Sequence, residues 1–152
     1  MHKTLIAIAA ALLIQASPAV AQKTEVMAVV KQFIDGFNKG DVNSALATCA
    51  EQTSIIDEFA PYEWHGTGSC AKWASDFDAD AKKRGVTDGV VTITTPRHFA
   101  VEGDRAYAVY PASYDSKLNG KLVKQSGSTL TVALQKTAAG WRITGWTWST
   151  GN

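Results

Sequence analysis

Charge of either sign is scarce in this chain, and so are cysteine, proline and long apolar runs. Fifteen basic against fourteen acidic residues give a formal net charge of +1, and no basic stripe breaks that balance. Nucleic acids and anionic membrane surfaces are bound through clustered lysine and arginine. Neither is expected as a partner, and no membrane is expected to hold the chain once its leader is removed. No Pro-rich or Ser/Gly-rich linker, internal repeat or low-complexity stretch interrupts the 152 residues, which argues for a single domain. Gly66-Thr67-Gly68-Ser69 is glycine-rich but lacks the lysine and the preceding strand of a phosphate loop; it reads as a turn and helix cap. No Ser-His-Asp order can be assembled. Two cysteines without further ligands at suitable spacing make no metal site, and no cofactor is expected.

What is present begins with a leader. Met1-His2-Lys3 is a basic start, Leu5 to Ile14 is an apolar run too short to span a bilayer comfortably, and Ala19-Val20-Ala21 is a small-x-small cleavage site. Residues 1–21 are therefore expected to be a cleaved signal peptide, with residues 22–152 a single domain in a bacterial periplasm or outside the cell. At 45% hydrophobic and 19% charged the chain suits one globular unit.

Val26, Val29, Val30, Phe33, Ile34 and Phe37 recur at spacings of three and four and predict an amphipathic helix. Gly40 ends it and Asp41 is placed to cap a short second helix with Val42, Ala45, Leu46 and Cys49 inward. Ser54-Ile55-Ile56-Asp57 reads as a strand ending in acid, followed by a loop through Trp64-His65-Gly66. A third helix is expected from about Thr67 or Ser69 to Arg84, with Cys70, Trp73, Ala74, Phe77 and Ala81 inward. Beyond Gly89 the pattern turns to β: Val90 to Thr95, His98 to Val101 with a break or bulge at Pro96, Arg105 to Tyr114, and Lys121 to Lys136. Asn119-Gly120 marks a hairpin. In the last strand Trp141 and Ile143 have one parity and Trp146 and Trp148 the other, so a bulge is expected near Gly145. Helices first and strands after make the class α+β.

The runs Ala28-Val29-Val30-Lys31-Gln32-Phe33, Asn38-Lys39-Gly40-Asp41 and Ser54-Ile55-Ile56-Asp57, on to Gly66, resemble the first half of a ketosteroid isomerase. More broadly the chain resembles the nuclear-transport-factor-2-like superfamily, which includes the SnoaL-like polyketide cyclases. The resemblance covers Ala28 to about Trp73. It implies a cone: a strongly curved, mostly antiparallel sheet around a pocket, with three N-terminal-half helices on the concave face. It places Asp57 where ketosteroid isomerases carry a general base, at the pocket mouth. A carboxylate desolvated there has its pKa pushed up, as proton abstraction near neutral pH requires; accepting loop amides or pairing with Arg97 is the structural alternative. The isomerase oxyanion hole is missing, because its tyrosine position reads Phe33 and its aspartate position falls near Thr131-Val132. Losing one such donor costs on the order of a hundredfold or more in rate, so steroid isomerisation by that route is not expected.

His65, beside Gly66, is the second candidate acid or base. Phe33, Phe37, Tyr62, Trp64, Trp73, His98, Tyr107, Trp146 and Trp148 are candidate pocket residues, and Tyr107 or Trp146 is a candidate oxyanion donor. In the cone both Cys49 and Cys70 would face inward near the narrow end, either bonded to each other or as two buried apolar thiols. The outer sheet face commonly forms a homodimer interface in this superfamily. Three functions follow: an exported domain binding a small, largely apolar molecule; a metal-free isomerase, dehydratase or cyclase using Asp57 and His65; or a dimerising accessory domain with a plugged pocket. An open pocket holding both Asp57 and His65 favours the second, an open apolar one the first.

Overall fold

The computed structural model describes residues 18–151. The basic start and apolar run of the expected leader lie outside the described residues, and Ala19-Val20-Ala21 falls in the first turns of helix α1, Pro18–Lys39. Its apolar stripe is buried as its spacing requires, with Val26 and Val30 sealed and Phe33 and Ile34 nearly so. Gly40, at φ 68°, turns the chain out of the helix. Asp41 then caps α2, Val42–Leu46, by accepting from the Ser44 amide at 3.0 Å. The two helices approach closely at Gly36, where a Cβ would stand 2.7 Å from the Ala45 amide nitrogen. α2 is shorter than expected: Val42 is 50% exposed rather than inward, and Cys49 lies beyond the helix, as the first residue of a strand.

Seven strands form one sheet: β1 Cys49–Ile56, β2 Glu63–Thr67, β3 Val86–Ile93, β4 His98–Glu102, β5 Arg105–Leu118, β6 Lys121–Thr137 and β7 Gly140–Ser149. Helix α3, Ser69–Arg84, intervenes between β2 and β3 and stops at Gly85. The strand order is β2-β1-β7-β6-β5-β3, with β4 also on β5. Every pairing is antiparallel except that of β1 with β7, which is parallel. The expected loop at Trp64-His65-Gly66 is instead the second arm of a hairpin, Trp64 pairing with Ile55 and His65 with Ser54. β1 also reaches back to Cys49, further than its apolar run indicated, because β7 supplies a partner along it. Pro96 separates β3 from β4, and both pair with β5.

Curvature comes from irregularities in register. Thr144 is left unpaired between Ile143 and Gly145 of β7, where the parity switch between Trp141 and Trp146 requires it. Ser126 and Gly127 bulge from β6, and Asp88 and Gly89 from β3. Each inserts residues on one side of a ladder and bends the strand. The sheet curves without closing, and the three helices pack on its concave face, the α+β cone that the resemblance implies. The Asn38 side chain joins α1 to the sheet edge: its Nδ2 donates to the Val91 carbonyl and its Oδ1 accepts from the Val91 amide, both at 2.8 Å. Cys49 and Cys70 are bonded, tying the start of β1 to the first turn of α3. Among the described residues no helix is long and apolar enough to cross a membrane.

Candidate functional site

The concave face does not close onto the helices along its whole length. Between α1, α3 and the inner faces of β5, β6 and β7 lies a cavity of about 390 Å3. α1 contributes Phe33 and Phe37, α3 contributes Trp73 and Phe77, β6 Leu130, and β7 Trp146 and Trp148. The rings contact one another in tilted and edge-on geometry, with Trp73 and Trp146 centroids 4.7 Å apart and Phe37 and Phe77 5.2 Å apart. The polar lining comprises Asp57, Glu58, Gln125 and Thr150 at one border, the last three hydrogen-bonded in a row, and Arg84 at the end of α3.

Asp57 follows the last residue of β1. The turn after it is held by the Asp57 amide donating to the Tyr62 carbonyl at 3.0 Å. Its Oδ2 accepts from Trp73 Nε1 at 2.9 Å and its Oδ1 from the Glu58 amide at 2.7 Å. Burial pushes the Asp57 carboxyl above the ordinary aspartate range, and the Glu58 charge adds to this, while the Trp73 and Glu58 N–H groups oppose it. Arg97 is not its partner; that guanidinium donates to Thr129 Oγ1 at 3.1 Å. Glu58 accepts from both the amide and the hydroxyl of Thr150, whose Oγ1 in turn accepts from Gln125 Nε2 at 2.6 Å. The end of β7 is thereby clasped beside Asp57.

Of the residues expected in the pocket, Phe33, Phe37, Trp73, Trp146 and Trp148 line the cavity together with Asp57. Tyr62, Trp64, His65, His98 and Tyr107 do not. Strand alternation accounts for most of this. In β2 Trp64 turns inward, where it packs on Phe59 at 4.9 Å and donates Nε1 to Asp76 at 2.8 Å, behind the cavity wall. His65 therefore projects from the opposite face and is exposed, and no Asp57–His65 pair forms. Tyr62 is 60% exposed. His98 and Tyr107 meet edge-on at 5.8 Å on the outer face, so Tyr107 is no oxyanion donor. Phe59, Phe77, Tyr114 and Leu130 also line the wall. Phe77 was legible on the inner stripe of α3, whereas Phe59 sits in a turn with no periodicity to announce it. Tyr114 carries a different signal: a Cβ on Gly89 would meet its hydroxyl at 2.3 Å, so the glycine in the β3 bulge makes room for the ring. Burial raises the Tyr114 hydroxyl pKa, with the Arg84 charge opposing. Among the described residues no three His, Cys, Asp or Glu side chains converge as a metal site.

Comparison with known proteins agrees with this fold. The model of the SnoaL-like domain matches residues 26–151. A nuclear transport factor 2-like superfamily protein from Salmonella enterica serovar Typhimurium superposes with a TM-score of 0.74 at 16% identity, covering 88% of this chain and 94% of that one. Hexachlorocyclohexane dehydrochlorinase LinA-type3 from Novosphingobium barchaimii gives 0.74 at 10% identity, with 88% and 89% covered. A ketosteroid isomerase-like protein from Erwinia carotovora atroseptica gives 0.64 at 17% identity, with 85% and 95% covered. At such identities the likeness is one of fold. No curated protein matches the chain.

Proposed function

We propose that this chain, which belongs to the SnoaL-like domain family of the nuclear-transport-factor-2-like superfamily, binds a small, largely apolar molecule in its cone. The observation that carries this reading is the cavity of about 390 Å3 walled by aromatic rings from α1, α3 and β7. A volume and lining of this kind suit a drug-sized apolar ligand, with few polar groups to orient it. The same open space speaks against a chamber plugged by the protein's own side chains. Native mass spectrometry of protein purified from its own host tests the reading: a co-purifying small molecule is expected, and a chain that neither carries one nor takes up apolar probes overturns it.

A second reading, proton transfer, is favoured by one observation: a carboxylate whose pKa is raised by burial stands on the cavity wall. In that reading Asp57 takes a proton from the bound molecule without His65, whose side chain lies on the other face of β2. The dehydrochlorinase among the similar structures performs an elimination by its name, a reaction that also begins or ends with proton removal. Turnover unchanged in Asp57→Asn would remove Asp57 from any such mechanism. With the leader expected at residues 1–21, this function would be exercised in the periplasm or outside the cell. The outer sheet face, with Tyr107 43% exposed beside His98, is the surface through which a homodimer would form.

A further inference from the structure

The β5–β6 hairpin outruns the rest of the sheet. The ladder of β6 with β7 begins only where Thr129 faces Ser149, while its ladder with β5 continues out to Lys121. Among the described residues, 121–128 therefore have a strand on one side and an open edge on the other. This arm carries apolar side chains on both faces. Cross-strand partners share a face: Ser116 and Val123, with Leu118, lie on the cavity side and line its wall, and Leu122, opposite Lys117, lies on the other. Leu122 is 64% exposed, Val123 42% and Leu118 41%. An antiparallel ribbon that packs one face on a core normally turns a polar face to water, so exposed apolar chains on both faces call for an occupant.

The charge beside them says which. Lys117, Lys121 and Lys124 surround the apolar pair, with no acid between Lys117 and Lys124. Lys117 is paired with Asp88 at 2.9 Å. Among the described residues Lys121 and Lys124 have no ion-pair partner; Asp115 stands opposite Lys124 in the ladder without bridging to it. The Asn119 amide donates to the Gly85 carbonyl at 2.9 Å, which brings the last turn of α3 to the same tip. There Lys82 and Arg84 are answered by Asp78 and Asp80, and Lys83 is not. Lysine on an open edge resists pairing with another strand. Edge protection thus accounts for the lysines and argues against a docked strand, but not for the leucine and valine between them.

We infer that the arm is a membrane contact: Leu122 and Val123 enter the interface of an anionic bilayer, and Lys121, Lys124 and Lys83 meet its headgroups. Apolar side chains set among cations fit a layer that is hydrocarbon within and negative at its surface. Because Leu118 and Val123 also line the cavity, the same contact sets the chamber against lipid, where apolar molecules collect. The expectation of no membrane partner rested on the charge balance of the whole chain. The arm departs from that balance locally, and Lys83 joins it only through the fold. The contact does not require the chamber to hold a ligand.

The test is co-sedimentation of the purified protein with vesicles of phosphatidylcholine alone and of phosphatidylcholine mixed equally with phosphatidylglycerol. Binding to the mixed vesicles is expected, weakened by added salt. Lys121→Gln together with Lys124→Gln is expected to lower it about twentyfold, and Leu122→Ser about tenfold. All three side chains are exposed, so these variants are expected to unfold with the parent. Location is read separately. Cys49 and Cys70 are bonded to each other, so Leu122→Cys takes a thiol-directed, polarity-sensitive dye at one place. Its emission is expected to shift to the blue on mixed vesicles, and not when the dye is carried by His65→Cys, on the strand at the far edge of the sheet. No binding to mixed vesicles, equal binding to both kinds, or binding unchanged by the substitutions overturns the inference. So does self-association that Leu122→Ser abolishes in the absence of vesicle binding, which assigns the arm to a second copy of this chain.

Discussion

Toward the start of α1 the space between helix and sheet is filled. Val26 and Val30 are buried with Leu134, Trp141 and Ile143, and Glu25 accepts the Trp141 N–H at 3.2 Å. Toward the end of α1 the same sheet faces Phe33 and Phe37 across a cavity. Trp141 apart, the larger side chains are at the hollow end. On β5 the filled end presents Ala106 and Ala108, whose small side chains leave room for what packs over them, while the hollow end is ringed by Trp73, Phe77, Tyr114 and Trp148. Rigid rings in edge-on contact prop walls apart, and branched aliphatic chains interdigitate. Side-chain size is therefore a poor guide to where a curved sheet is solid.

The largest test of this contrast is a pair of truncations. Leu134→Ala, at the filled end, is expected to cost about 4 kcal/mol, because it opens a void among packed neighbours. Phe77→Ala, at the border of an existing cavity, is expected to cost no more than about half of that; equal shifts in urea midpoint would erase the distinction. Next in size, replacing Cys49 and Cys70 together by alanine removes the tie between β1 and α3. The loss expected from chain entropy is about 3 kcal/mol, read from the same unfolding curves.

A smaller effect separates the polar border from the apolar wall. The Asp57 carboxyl titrates higher in the folded chain than its ordinary value of 3.8, so between those two values the folded form holds the proton more firmly. Stability from this group is greatest below pH 3.8 and is lost as pH rises through the raised value. Asp57→Asn is therefore expected to unfold at higher urea than the parent at pH 7 and at nearly the same urea at pH 3; a gain at pH 3 equal to that at pH 7 would contradict the burial. Smallest of all, His65→Ala is expected to change stability by less than about 0.5 kcal/mol and to leave apolar probe binding as it was, since the side chain faces away from the chamber.

The helices were legible because period and punctuation agree: the stripe from Val26 to Phe37, Gly40 and Asp41 needed no tertiary information. The parity break between Ile143 and Trp146 likewise announced the bulge at Thr144 before any pairing was known. The site was half legible. Phe33, Phe37 and Trp73 lie on predicted helix faces, and Asp57 was located by its place after the Ile55-Ile56 pair. His65 and Trp64 were misplaced together, because a five-residue strand paired to β1 has too few positions to show alternation. Once they are in a strand, adjacent residues must part to opposite faces. Tyr107 failed for a related reason: three tyrosines of mixed parity cannot be sorted until the register with β6 assigns Tyr110 inward and Tyr107 outward.

One consequence follows from the parallel seam in which Ile55 lies beside Trp146. Among the described residues β7 is the only strand joining the β1–β2 hairpin to the β6-β5-β3 meander. Until Trp141 to Ser149 pair, the two pieces share no ladder, and Asp57 has no Trp146 wall to stand beside. Assembly of the chamber accordingly waits on a contact distant along the chain and slow to find.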